Sequence, residues 1–153
     1  MKVRRRQKRD HRGFTIPELM MACFVLQALF VGAIVTIVKC MEYSDLARHQ
    51  SQALASVRTR MMQIENTPYA QVFATYHDTN FTAAGLNGLG KILVDDSDPS
   101  LLTITTTFCW RERSGRVIGE DSDLDGVLDA GEDKNANGRI DSSVQIVTRR
   151  YNI

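Results

Sequence analysis

The chain has 153 residues, 19 Lys and Arg against 18 Asp and Glu, and a formal net charge of +1. That length holds one small domain plus whatever a long apolar segment does. The near-neutral sum joins two unlike parts: residues 1–13 carry seven bases and one acid, +6, and the rest twelve bases and seventeen acids, −5. The basic patch is thus confined to a leader, and no nucleic-acid partner is expected.

The leader's bases are Lys2, Arg4, Arg5, Arg6, Lys8, Arg9 and Arg12, against the single Asp10. After Gly13 and Phe14 comes an apolar span. Residues 19–38 are interrupted only by Gln27 and Thr36, and at about 1.5 Å per residue they cross a hydrocarbon core about 30 Å thick. A cleaved secretory signal has an apolar region of about 7–15 residues and a small-residue cleavage site. This span is longer, and Lys39-Cys40-Met41-Glu42 follows it. The positive leader is expected on the cytoplasmic side, with the remainder exported. Glu18 stands near the start of the span, where a carboxylate is costly unless paired, and so is a functional candidate.

Basic leader, Gly13-Phe14 junction and Glu18 together resemble the class III signal of type IV pilins and type II secretion pseudopilins. The resemblance implies cleavage between Gly13 and Phe14 by a prepilin peptidase and N-methylation of Phe14. It also implies that Glu18 is an assembly residue that pairs with the α-ammonium of Phe14 on a neighbouring subunit. The implied partners are other pilin or pseudopilin subunits, an inner-membrane assembly platform and membrane lipid. The implied location is a single-pass inner-membrane protein with an extracytoplasmic, periplasmic head, incorporated into a filament after cleavage.

Helical patterning continues past the membrane. Leu46, Leu54, Val57, Met61 and Ile64 form one apolar stripe, and Arg48, His49, Gln52, Arg58, Arg60 and Glu65 take the other side. No Gly or Pro occurs between Ala33 and Asn66, so one helix is expected over 18–65, about 72 Å long at 1.5 Å per residue. Asn66-Thr67-Pro68 ends it, because the residue before a proline avoids helical geometry. Pro17 falls in the first turn, where it is tolerated.

The apolar stripe needs a cover, which residues 67–153 must supply. The stretch 75–90, with Thr79-Asn80, Gly85, Asn87-Gly88 and Gly90, reads as loop. Residues 101–113 make the best strand: Leu102, Ile104, Phe108 and Trp110 share one face, and Thr103, Thr105, Thr107, Cys109 and Arg111 the other. Ser114-Gly115 can turn it into a short partner at 116–118, and 144–151 is a further strand. The expected fold is α+β: a long N-terminal helix on a small antiparallel sheet, in agreement with the pilin fold that the N-terminus implies. The expected organisation is a cleaved leader at 1–13, a transmembrane half-helix at 14–38, an amphipathic half at 39–66 and a head at 67–153. The segment 61–69 and the Thr-rich strand ending at Trp110 look like minor pilins and minor pseudopilins. Cys40 and Cys109 could be joined in an exported head, but Cys23, Cys40 and Cys109 form no framework, and buried hydrophobes are the favoured reading.

The insertion 120–141 is the second informative stretch. Counted from Asp121, side-chain oxygens fall at loop positions 1, 3, 5, 9 and 12: Asp121, Asp123, Asp125, Asp129 and Glu132. Gly126 holds position 6, and Val127 offers its carbonyl at position 7. This is the EF-hand loop pattern, with Glu132 as the bidentate ligand. A second frame starts at Asp133 and runs through Asn135, Asn137, Gly138, the carbonyl of Arg139 and Asp141. Its twelfth position is Val144, so this site is incomplete unless it shares an acid from the first frame. The tandem resembles the calcium repeats of secreted proteins without flanking helices, such as thrombospondin type 3 repeats and dockerins.

Between 120 and 133 the chain places seven carboxylates, which repel one another if no cation is bound. Calcium is the expected ion, since magnesium wants octahedral geometry and fewer protein ligands. The expected role is a structural clamp at a hairpin tip, projecting from one edge of the sheet. His11, His49 and His77 lie far apart and are expected at the surface. No nucleophile elbow, phosphate-binding glycine loop or Cys/His cluster occurs, so no catalytic residues are assigned and an enzyme is not expected. Three readings compete: a processed and polymerised pilin-like subunit, a single-pass membrane protein displaying a calcium-binding recognition domain, and a secreted calcium-binding module.

Overall fold

The computed structural model describes residues 13–98 and 100–152; most of the basic leader, residues 1–12, lies outside them. The elements in chain order are α1 (Ile16–Glu65), α2 (Tyr69–Tyr76), β1 (Thr79–Phe81), β2 (Gly88–Asp98), β3 (Leu101–Arg111), β4 (Val117–Ile118) and β5 (Gln145–Tyr151). The fold is α+β, with a long N-terminal helix packed on a small antiparallel sheet. The chain divides into two compact units, 1–43 and 44–153, and α1 runs from the first into the second.

In the first unit the described residues are helical from Ile16, and all are exposed. This part of α1 is long and apolar enough to cross a membrane, a test that signal sequences and buried core helices also meet. Thr36 donates its hydroxyl to the carbonyl of Gly32 at 2.9 Å, so this polar interruption is satisfied within the helix.

In the second unit the helix turns an apolar stripe onto the sheet. Ala53, Val57, Met61 and Ile64 are buried, and Leu46 and Leu54 pack beside them. The spacing of four, four and three keeps these side chains on one face. The helix stops at Glu65, three residues before Pro68, as the sequence implies. Two residues assigned to the polar side of α1 face the head instead. His49 Nδ1 lies 2.8 Å from Glu112 Oε2, and the Arg60 guanidinium sits 5.4 Å over the Phe81 ring. Their long side chains bend across the rim of the apolar stripe, which a wheel of Cα positions does not register.

The sheet runs β1-β2-β3, and β4 and β5 both pair with the far edge of β3. All pairings are antiparallel. The expected strands at 101–113, 116–118 and 144–151 are present with trimmed ends. The loop expected at 75–90 is corrected: the end of α2, all of β1 and the start of β2 occupy it. Tyr69, Val72, Phe73 and Tyr76 recur at three and four positions, an amphipathic turn that the surrounding Thr and Asn obscure. Residues 79–81 lack strand composition, but Phe81 is 5% exposed and packs 5.7 Å from Phe108. Tertiary packing, not local preference, makes β1 a strand.

β3 is covered on both faces. Leu102, Ile104, Phe108 and Trp110 meet the α1 stripe in one buried cluster. On the other face Thr105, Thr107 and Cys109 are also buried, where sequence alternation expects a polar, open side. The acidic insertion provides this cover.

One buried group in the apolar layer has no partner. Thr106 is fully buried, flanked across the sheet by Ile92 and Ile146, and its hydroxyl makes no hydrogen bond among the described residues. An unsatisfied buried hydroxyl costs on the order of 1–3 kcal/mol. Thr106→Val should therefore raise stability by about 1 kcal/mol, read as a higher midpoint in chemical denaturation. A lower midpoint would mean the hydroxyl is satisfied after all.

Candidate metal centre

The insertion leaves β4 after Ile118 and returns at Val144. Ile118 pairs with Trp110, and Phe108 donates its amide to the Val144 carbonyl at 3.0 Å. β4 and β5 therefore lie in line along one edge of β3, and the insertion is an excursion out of that edge. This corrects the hairpin-tip expectation, because β4 and β5 run in the same direction and do not pair with each other. Nor does the insertion project from the sheet. Asn80 of β1 donates to the Asp125 carbonyl at 3.5 Å, Arg111 of β3 to the Ser122 carbonyl at 2.9 Å, and Arg139 pairs with Asp95 of β2 at 3.8 Å. Gly119 lies so close to Cys109 that a Cβ there would collide with the thiol sulfur.

Within the excursion the two frames fold alike. In the first, the Asp121 carboxylate accepts the amides of Asp125 at 3.2 Å and Gly126 at 2.9 Å. In the second, Asp133 accepts those of Asn137 at 3.0 Å and Gly138 at 2.8 Å. Position 3 accepts from the position 5 amide in both, at Asp123 and Asn135. Position 5 accepts from the position 7 amide in both, Val127 to Asp125 and Arg139 to Asn137. Backbone signs repeat as well: Leu124 and Ala136 at position 4, and Gly126 and Gly138 at position 6, all have positive φ, from 56° to 82°. Glycine at position 6 is required for this turn.

Closure of the loops is where sequence reasoning fell short. Glu132 closes the first: its Oε1 accepts the Ser122 amide at 2.6 Å, its Oε2 the Asp129 amide at 3.1 Å, and its own amide donates to the Asp129 carbonyl at 3.1 Å. Val144 does nothing comparable in the second frame. Glu120 does. Its Oε1 accepts the Lys134 amide at 3.3 Å, its Oε2 the Asp141 amide at 3.1 Å, and its amide donates to the Asp141 carbonyl at 2.9 Å. Those are the same three bonds at the same loop positions, 2 and 9. The signal available was the repeated dipeptide Glu120-Asp121 and Glu132-Asp133, in which each loop is preceded by the acid that closes the other.

Carboxylate oxygens of Asp121, Asp123 and Glu132 lie within 4.8 Å of one another, and so do those of Asp123, Asp125 and Asp129. The first group is a place where a metal ion can bind. In the second frame Asn135 and Asn137 donate their side-chain amides to Asp141 Oδ2, each at 2.7 Å. Glu120, Asp121 and Glu132 are buried, Asp121 to 2% exposure, and among the described residues none of them has a cationic side chain as partner. Burial raises the Asp121 carboxyl above the usual carboxylate range against the pull of three amides, and the Glu132 charge adds to the rise. The amides of Ser122 and Asp129 hold Glu132 below it. Burial also pushes the Cys109 thiol up.

Compared with known proteins, the chain matches no family model, no curated protein and no solved structure.

The N-terminal candidates belong to the first unit. Gly13 and Phe14 precede α1 and are exposed, Phe14 to 84%, and Glu18 lies in the first turn. The positive end of the helix dipole favours an acid there. Cys23, Cys40 and Cys109 are all free thiols, so the structure contains no Cys40–Cys109 bond.

Asp121 organises the first loop whether or not an ion is present, because it accepts amides from Leu124, Asp125 and Gly126. Asp121→Ala should cost about 1–3 kcal/mol even in excess chelator, measured by thermal denaturation. An unchanged melting curve in chelator would show that those amides need no side-chain acceptor.

Proposed function

We propose that this chain is a minor pilin or pseudopilin: a low-copy structural subunit of a type IV pilus or type II secretion-like filament, with a calcium-stabilised head. The observation that carries this reading is the Gly13-Phe14 junction between a basic leader and an apolar helix whose first turn holds Glu18. In this reading a prepilin peptidase removes residues 1–13, and Phe14 becomes the N-terminus. The exposed apolar part of α1 sits in the inner membrane and later in the filament core. Glu18 meets the new α-ammonium of a neighbouring subunit, where desolvation makes the loss of either partner costly. The layout of long helix and small antiparallel sheet supports the reading at the level of fold.

Calcium is the ion this donor set favours. Every ligand is oxygen, most are carboxylate, and the position 6 glycines and the closing glutamates match the EF-hand arrangement. The first site would use Asp121, Asp123, Asp125, Asp129, Glu132 and the Val127 carbonyl. The second would use Asp133, Asn135, Asn137, Asp141 and the Arg139 carbonyl, closed by Glu120. The cation supplies charge compensation and fixes the two loops against the sheet; it takes part in no reaction. Free calcium outside the cytoplasm fills weak sites, of the order of 10⁻⁴–10⁻³ M in Kd. The mature chain is −5 overall, and copies stacked along a fibre would repel one another unless calcium neutralises their insertions, which favours a tip or other low-copy position.

Processing tests the filament half of this reading. Gly13→Leu should leave a full-length membrane protein, seen as the unprocessed mass of the detergent-extracted chain; normal maturation of that variant would remove its foundation.

Titration calorimetry tests the ion-binding half. The native chain should take up two calcium ions, and Glu120→Gln should retain one, whereas Val144→Ala should retain both. Two ions in the Glu120 variant would return the second site to an incomplete frame.

A further inference from the structure

We propose that the insertion 119–144 is a cation-operated cover for the second face of β3, and that Cys109 is the group it shields and uncovers. The inference rests on the calcium reading above and adds to it a coupling between the ion and the sheet.

The attachment of the insertion allows it to lift by itself. Trp110 pairs with Ile118 on one side, Thr107 with Gln145 on the other, and Phe108 donates to the Val144 carbonyl. Cys109 is thus the only β3 residue between the two points where the insertion leaves and rejoins the edge. Melting the excursion breaks no ladder bond of β3 with β2 or β5. Local opening of this kind, at a free energy below that of global unfolding, is common for segments with few buried apolar contacts.

Little apolar surface holds the cover down. Its buried side chains are Glu120, Asp121, Glu132 and Ile140, with Val144 at the point of return. Three are carboxylates, and a carboxylate removed from water is costly unless compensated. Its polar contacts to the sheet are peripheral, Asn80 and Arg111 to carbonyls of the insertion and Arg139 to Asp95, and its apolar contact is confined to Gly119 against Cys109 and to Leu128 and Ile140 beside Leu93. Pairs so exposed contribute little. The balance between closed and open therefore depends on what neutralises the acids. A ligand bound only by the closed form at a hundredfold excess over its Kd lowers the open fraction about a hundredfold.

Cys109 then reports the state of the cover, and its neighbour reports the other face. Cys109 is 1% exposed beneath Gly119 and the Asp141 carbonyl, 3.9 Å from its sulfur. Trp110 is fully buried among residues packed by α1 and is the one tryptophan of the chain. Opening the cover should expose the thiol without disturbing the indole.

The experiment uses the full chain in detergent with Cys23→Ser and Cys40→Ser, which leaves Cys109 as the sole thiol. Its alkylation by iodoacetamide is followed by intact mass in millimolar calcium and in chelator, alongside Trp110 emission and calorimetry with calcium on the same sample. Alkylation should be at least tenfold slower in calcium, with Trp110 emission unchanged. The double variant Glu120→Gln/Glu132→Gln, which removes the closing acid of both loops, should be alkylated fast in both conditions, and should it fail to fold, each single variant should show a smaller calcium effect than the parent. Calcium binding with equal alkylation rates overturns the cover and leaves the calcium site standing. Equal rates with no binding overturn both. A chelator-induced shift of Trp110 emission to that of the unfolded chain also overturns the cover, since it would mean global unfolding.

Discussion

The structure depends on β3 being buried on both faces while only one of those faces is apolar. Toward α1 it presents Leu102, Ile104, Phe108 and Trp110, which find Val57, Met61 and Ile64. That contact is ordinary hydrophobic burial, at roughly 25 cal/mol per Å². Toward the insertion it presents Thr105, Thr107 and Cys109, two hydroxyl side chains that gain little from leaving water and one small hydrophobe. A cover on that side cannot be held by the hydrophobic effect alone. It needs its own source of stability, and the two loops built on carboxylates are where that source is found.

Those loops are organised around negative charge. Each position 1 carboxylate gathers backbone amides, each closing glutamate ties positions 2 and 9 of its loop, and the pattern is carried out twice. Backbone amides offset part of the desolvation of Asp121 and Glu132 but bring no net charge. Hence the two acids respond in opposite directions, Asp121 raised by burial and Glu132 lowered by its amides. An arrangement of this kind is preorganised to accept a hard cation. Reciprocal closure, with Glu132 completing the first loop and Glu120 the second, also links the two loops, because opening either one frees the acid that leads into the other.

At its other end the chain faces a different solvent problem. Residues 16–43 of α1 are exposed all round, and most are apolar. The helix satisfies its own backbone, which is the condition for a segment in lipid. A carboxylate at Glu18 fits such a segment only if a cation is brought to it. In the proposed reading, ion pairing at Glu18 and ion binding in the insertion would be two answers to one difficulty, an acid placed where water is scarce.

What the sequence by itself determined were the features written in short, regular spacing. The three-four periodicity of Val57, Met61 and Ile64 and the stop before Pro68 define the head half of α1. Alternation defines β3, and the twelve-residue recurrence of acids and glycines defines the loops. Each is a local rule, in which neighbours a few positions apart share a face or a turn. Tertiary structure decided what depends on distant parts of the chain meeting. A three-residue β1 exists because Phe81 reaches the core. His49 turns to Glu112, 63 positions away. The insertion lies on the sheet and does not project from it, because its edge strand resumes on the same line. Glu120 closes the second loop through amides 14 and 21 residues downstream, a role that no residue count within that loop reveals, since the closing acid precedes the loop and is delivered by the return of the chain.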